Sequence, residues 1–146
     1  MWTMRLRSAR GLVRLGAAFA LAACVQSGPA SSGNAAVYAA WQQQRSGVEV
    51  TASGSVAKVL GIRRGPSGVH EGFLLHLRGA EGRGLTVRVE DNVDITGPIP
   101  LRPGDALEVR GEYIFDPRGG LIHYTHHDPR GRHASGYVRT ADKMYD

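Results

Sequence analysis

From Val48 onward, apolar and polar residues alternate with a period of two, the spacing that sends successive side chains to opposite faces of an extended strand. Val48, Val50 and Ala52 alternate with Glu49 and Thr51. Gly54 then interrupts and Val56 to Leu60 resumes, which predicts one long strand bent at a glycine. Val69, Glu71, Phe73, Leu75 and Leu77 share one face of a second strand. Leu85, Val87 and Val89 alternate with Thr86, Arg88 and Glu90 in a third. Leu107, Val109, Tyr113 and Phe115 share a face of a fourth, opposite Glu108, Arg110 and Glu112. Asp116-Pro-Arg-Gly-Gly120 predicts a hairpin turn, with Leu121 to His126 as the fifth strand. Ahead of the strands, Asn34 is placed to cap a helix over Ala35 to Arg45, with Gly47 just beyond its end. Val37 and Trp41, four residues apart with Tyr38 beside them, give that helix a core-docking face. Docking outweighs a ligand-stacking role for Trp41.

Five short strands within residues 48–146 predict an all-β domain, and a small closed barrel leaves no unprotected edge. The strand order narrows the type. A long bent strand and two meander strands are followed by a crossover from Asp91 to Pro103. A hairpin is then entered through Pro103-Gly104-Asp105. This resembles an OB-fold, whose fourth strand often begins with such a Gly-Asp. The crossover is rich in Pro and Gly, so the helix often found there is expected to be short or absent. An SH3-like barrel is the alternative.

The N-terminus predicts a destination. Residues 1–14 carry Arg5, Arg7, Arg10 and Arg14 and no acid, and an apolar stretch from Leu15 to Ala23 ends at Leu21-Ala22-Ala23-Cys24. A basic region, a short apolar region and small residues before a cleavage point read as a signal peptide over residues 1–23, too short to span a bilayer. Cysteine directly after Leu-Ala-Ala resembles the bacterial lipobox, which implies cleavage before Cys24 and a diacylglycerol on its sulfur. A plain signal peptide with an incidental cysteine is the alternative. Cys24 is the chain's only cysteine, so no internal disulfide can form. Val25 is not the Asp associated with inner-membrane retention. The expectation is a lipoprotein on the periplasmic face of the outer membrane. Residues 24–47 would then be lipidated cysteine, flexible spacer and short helix, and residues 48–146 the barrel.

Processing would also change the charge. The chain has 18 basic side chains against 13 acidic, and losing the four leader arginines leaves 14 against 13. A nucleic-acid footprint needs clustered excess charge on the mature domain, so nucleic acid is not expected as a partner.

Four of the six histidines fall in Leu121-Ile-His-Tyr-Thr-His-His-Asp-Pro-Arg-Gly-Arg-His133. Imidazole is suited to metal ligation and to proton transfer near neutral pH. Along an extended strand, His123, Thr125 and His127 would point one way and Ile122, Tyr124 and His126 the other, until Asp128-Pro129 breaks the ladder. Asp128 is placed to accept an imidazole N–H, His133 to face His127 across a turn, and His70 to join from the second strand. His70, His127 and His133 would suit zinc or another transition metal. Their spacing matches no established zinc pattern, however, with no HExxH and no CxxC pair. A structural network within a Gly/Pro-rich loop, packed on Tyr137, is the competing reading. Glu90, Asp91 and Asp94 read as a solvated strand end rather than a hard-cation site.

Residues 48–145 also resemble an uncharacterised family of exported bacterial proteins, domain of unknown function number 3465. The resemblance is carried by Gly68-Val-His70-Glu-Gly-Phe73, Asp91-Asn92-Val-Asp94, Gly104-Asp105, Gly111-Glu112-Tyr113, Gly119-Gly120 and His123-Tyr-Thr-His-His-Asp-Pro129. It continues through Gly131, His133 and Gly136-Tyr137. The family often has Trp at the position of Tyr124 and His at that of Asp91, and the second departure puts a shared metal role there in doubt. The resemblance implies fold and compartment but no activity.

These readings converge on a membrane-tethered binding or interaction module. His70, His123, Tyr124, His126, His127, Asp128 and His133 are its candidate contact residues. The alternative is a metal-dependent hydrolase of phosphodiester or wall-derived substrates using His70, His123, His127 and His133. His70, His127 and Asp128 could supply a base and its orienter, but no nucleophile motif accompanies them.

Overall fold

The computed structural model describes residues 33–79 and 83–146; the expected signal peptide, Cys24 and most of the expected spacer lie outside the described residues. In order come α1 (Asn34–Gln42), β1 (Val48–Gly65), β2 (Gly68–Arg78), β3 (Gly84–Asn92), α2 (Val93–Thr96), β4 (Ala106–Ile114), β5 (Leu121–His123), β6 (Tyr137–Arg139) and β7 (Met144–Tyr145). The chain is mostly β, as the alternation requires. Two short C-terminal strands, β6 and β7, extend the expected five to seven.

The bend at Gly54 is where β1 changes partners. Its first half pairs antiparallel with β4 from Val48↔Tyr113 to Ser55↔Ala106, and its second half pairs with β2 from Gly54↔Leu77 to Gly65↔Gly68. A Cβ at Gly54 would collide with the carbonyl oxygen of His76, so a larger residue cannot sit at this crossing. β2 pairs antiparallel with β3, β3 pairs parallel with β5, and β5 pairs antiparallel with β4. The ladder thus returns to β1, where it began.

Inward positions follow the predicted faces. Phe73, Leu75, Val87, Val89, Val109, Tyr113, Ile122 and Val138 are fully buried in one core. Removing that apolar surface from water is the main driving force for the fold, at about 25 cal/mol per Å². Val37 of α1 joins the core and Trp41 packs at its margin. Asn34, expected as a cap, instead begins the helix. Its amide donates to the carbonyls of Ser53 (2.9 Å) and Arg78 (3.1 Å) and accepts from the Ser53 N–H (2.8 Å), so it clamps α1 to β1 and β2. Asn92 does cap a helix, the single turn of α2, by accepting the Asp94 N–H at 3.1 Å.

Candidate functional site

The inward face of β3 runs Leu85, Val87, Val89 and then Asp91, still in phase and fully buried. Opposite it in register on β2 stands Glu71, also buried. Two carboxyls therefore cap the core at one end. Burial pushes the Asp91 carboxyl above its ordinary range. The Thr96 hydroxyl, the Thr125 hydroxyl (2.7 Å), the facing His126 and the Asn92 backbone pull it partly back. Glu71 is raised by burial too. The Ile99 N–H, donating at 2.8 Å, opposes that rise and the neighbouring Asp91 adds to it. Each carboxyl holds a piece of the crossover, and Asp91 also reaches the histidine loop.

That loop begins earlier than the alternation implied. β5 ends at His123, because Tyr124 takes φ +55°. A non-glycine residue in the left-handed region costs about 1–2 kcal/mol. The turn brings Thr125 and His126 inward together, and both are buried. A run of four or more extended residues would have separated them, so the expected facing of His123, Thr125 and His127 is corrected. Gly136 closes the base of the loop, its N–H donating to the His126 carbonyl at 2.9 Å.

Asp128 organises the far side. Its carboxylate, 1% exposed, accepts the backbone N–H groups of Arg130 (2.8 Å), Arg132 and His133 (2.9 Å). Burial alone would raise its pKa. The three N–H donors and the nearby His133 ring outweigh that and hold it down to about 2. Asp128 thus anchors backbone rather than fixing an imidazole N–H as expected. The His133 Nε2 lies 3.9 Å away.

Two imidazoles have defined tautomers. Nδ1 of His126 lies 2.7 Å from the His127 carbonyl oxygen, and Nδ1 of His133 lies 2.9 Å from that of Ala134. A carbonyl only accepts, so each Nδ1 carries the proton and each neutral ring keeps an Nε2 lone pair. The two rings meet edge to face at 5.1 Å. Tyr124 is stacked between His133 (4.1 Å, 9°) and His123 (3.9 Å, 23°), and the His123 Nε2 is 3.3 Å from Glu112.

These side chains line one cleft of about 340 Å³ with Ser67, His70, Glu90, Asn92 and Arg132. Six of the seven residues expected at the site, namely His70, His123, Tyr124, His126, Asp128 and His133, line it together. His127 does not. Its side chain faces solvent, and His133 meets His126 and Tyr124 instead. The set His70, His127 and His133 is therefore not assembled. Among the described residues, no group of three or more His, Cys, Asp or Glu side chains is arranged to hold a metal ion. Tyr137 bonds Glu108 at 2.8 Å and is not the ring on which the histidines pack. Asp91, read as solvated, is the group beneath them. Its continuation of the 85-87-89 phase was the available signal.

Residues 19–146 match the family model described as "Protein of unknown function (DUF3465)". The chain belongs to this family. The DUF3465 match spans the whole cleft, including Asn92 and Arg132. No curated protein matches the chain. Among solved structures, it is similar to the small single-stranded DNA-binding protein from Streptomyces coelicolor. That likeness has 21% identity and a TM-score of 0.40, and covers 52% of this chain and 84% of that one.

Proposed function

We propose that this DUF3465 member is an envelope lipoprotein, anchored through Cys24, whose OB-like barrel binds a ligand in the histidine–tyrosine cleft. One observation carries the binding reading: His70 of β2 lines a single cleft with His123, Tyr124, His126, Asp128 and His133 of β5 and the loop after it. The buried Asp91, which holds the loop through Thr125, and a strained Tyr124 support that cleft at a cost to stability, a pattern typical of binding sites. The cyclic pairing β1–β2–β3–β5–β4–β1 supports the OB-like barrel. The anchor rests on the leader and on Leu21-Ala22-Ala23-Cys24. The alternative, a metal-dependent hydrolase, would need a donor set, and among the described residues no group of three or more His, Cys, Asp or Glu side chains is arranged to hold a metal ion.

Metabolic labelling with palmitate tests the anchor. Wild type should take up label and partition with membranes, whereas Cys24→Ser should lose both properties and keep its β-sheet circular dichroism. Label in the variant, or none in the wild type, refutes it. Oligo(dT) should not bind at physiological salt, because only one net positive charge remains after residues 1–23 are removed.

A further inference from the structure

The chemistry of the cleft narrows its occupant. With the rings neutral, the Nε2 atoms of His126 and His133 are acceptors, because both Nδ1 protons are already donated to carbonyls. The acids on the wall are engaged: Asp128 by three backbone N–H groups and Glu90 by the Arg88 guanidinium. Asn92 uses its Oδ1 to accept the Asp94 N–H, which leaves its Nδ2 hydrogens for the cleft. The Arg132 guanidinium is two-thirds exposed and, at 4.0 Å, lies beyond hydrogen-bond distance of Asp128, so it too can donate.

Four ligand classes can be weighed against that wall. An anion would face the Asp128 and Glu90 carboxylates on the same wall. A cation would find no unengaged carboxylate. An apolar molecule would strip water from Nε2 atoms and a guanidinium without replacing those hydrogen bonds. A neutral ligand rich in hydroxyls fits, because each hydroxyl donates one hydrogen and accepts others. It can give protons to His126 and His133 while taking them from Asn92 and Arg132.

We propose that the cleft is a saccharide site. His126 and His133 would accept ligand hydroxyls, and Asn92 and Arg132 would donate to them. This rests on the cleft being a binding site, as argued above.

The test is long-range ¹H–¹⁵N NMR of the full-length protein, which reads the tautomer and the Nε2 environment of each imidazole. The probes are glucose, cellobiose, N-acetylglucosamine, chitobiose, sulfate and oligo(dT). At least one saccharide should shift the His126 and His133 Nε2 signals saturably, with both rings staying protonated on Nδ1. Asn92→Ala and His133→Gln should each weaken that saccharide about tenfold or more, with the remaining amide spectrum unchanged. If Asn92→Ala perturbs the fold, Arg132→Gln, on an exposed side chain, replaces it. Shifts from sulfate or oligo(dT) but from no saccharide would overturn the saccharide assignment and leave the cleft as a binding site. No response to any probe would overturn both.

Discussion

Thr125 offers the sharpest test of how the loop is held. Its side chain is fully buried, and its hydroxyl has one proton to give. Asp91 takes it at 2.7 Å, with the Glu90 carbonyl farther off at 3.4 Å. Thr125→Val keeps the shape and removes the donor. A hydrogen bond to a charged partner contributes about 1.5–3 kcal/mol. The added methyl recovers about 0.8 kcal/mol of burial, so the net loss at neutral pH is about 1–2 kcal/mol. Thr125→Ser keeps the donor and loses one buried methyl, which costs about 1 kcal/mol including the small cavity.

The sign of the pH dependence separates the two variants. Asp91 and Glu71 both have carboxyls raised by burial in the folded state. Their proton-linked contribution to stability is fully present below the unfolded-state pKa and is lost as pH rises through the folded-state value. Removing the Thr125 donor raises Asp91 further, so the valine defect should grow with pH. The serine defect, being one of packing, should not. Urea unfolding followed by circular dichroism at pH 7 and at about pH 4 should give valine worse than serine at the higher pH, with the gap closed or reversed at the lower. Equal valine defects at both values, or a neutral valine variant, would refute the claim that a buried carboxylate holds the loop through Thr125.

Leu75, Val87 and Val109 are fully buried on three strands, and truncating any one to Ala should cost about 2–4 kcal/mol in urea unfolding. Arg110→Glu, on an exposed position, should stay within about 0.5 kcal/mol. Gly136 lies beneath the loop, where a Cβ would strike the carbonyl oxygens of Tyr124 and Arg110. Gly136→Ala should therefore lower the melting temperature and also shift the Tyr124 and His126 resonances. A silent substitution there would mean that the loop is not seated as described.

The strands were legible because one residue type reports one face. Apolar alternation over Val87, Val89, Val109 and Tyr113 marked the interior correctly, and the glycine at 54 marked the bend. The same rule misled at residues 121–127. Alternation assumes continued extension, and a single positive φ at Tyr124 cancels it. Nothing in Tyr124-Thr-His126 taken alone announces that reversal, because its causes are distant: the Asp91 carboxyl and the stack on His133. Asp91 departs from the rule that charge marks exposure. Its phase with Leu85, Val87 and Val89 pointed inward, and the Thr125 and Thr96 hydroxyls make that position tolerable. The strands β6 and β7, of three and two residues, are too short for periodicity to register.

The histidine run shows why counting a residue type overstates its chemistry. Of the four imidazoles in it, His127 faces solvent, while His126 and His133 hold local carbonyls through Nδ1 and His123 leans on Glu112. Each of those three therefore has one nitrogen fixed by the protein. A ring so fixed loses freedom to reorient, which lowers the entropy lost when a ligand meets Nε2. It also loses the choice of tautomer, so the cleft presents acceptors at His126 and His133 whenever those rings are neutral. The loop thereby converts versatile side chains into groups of set polarity and direction. That conversion depends on backbone carbonyls, which sequence spacing cannot reveal. It is also why a cluster whose composition suits a metal site would, on the proposal above, present acceptors to ligand hydroxyls instead.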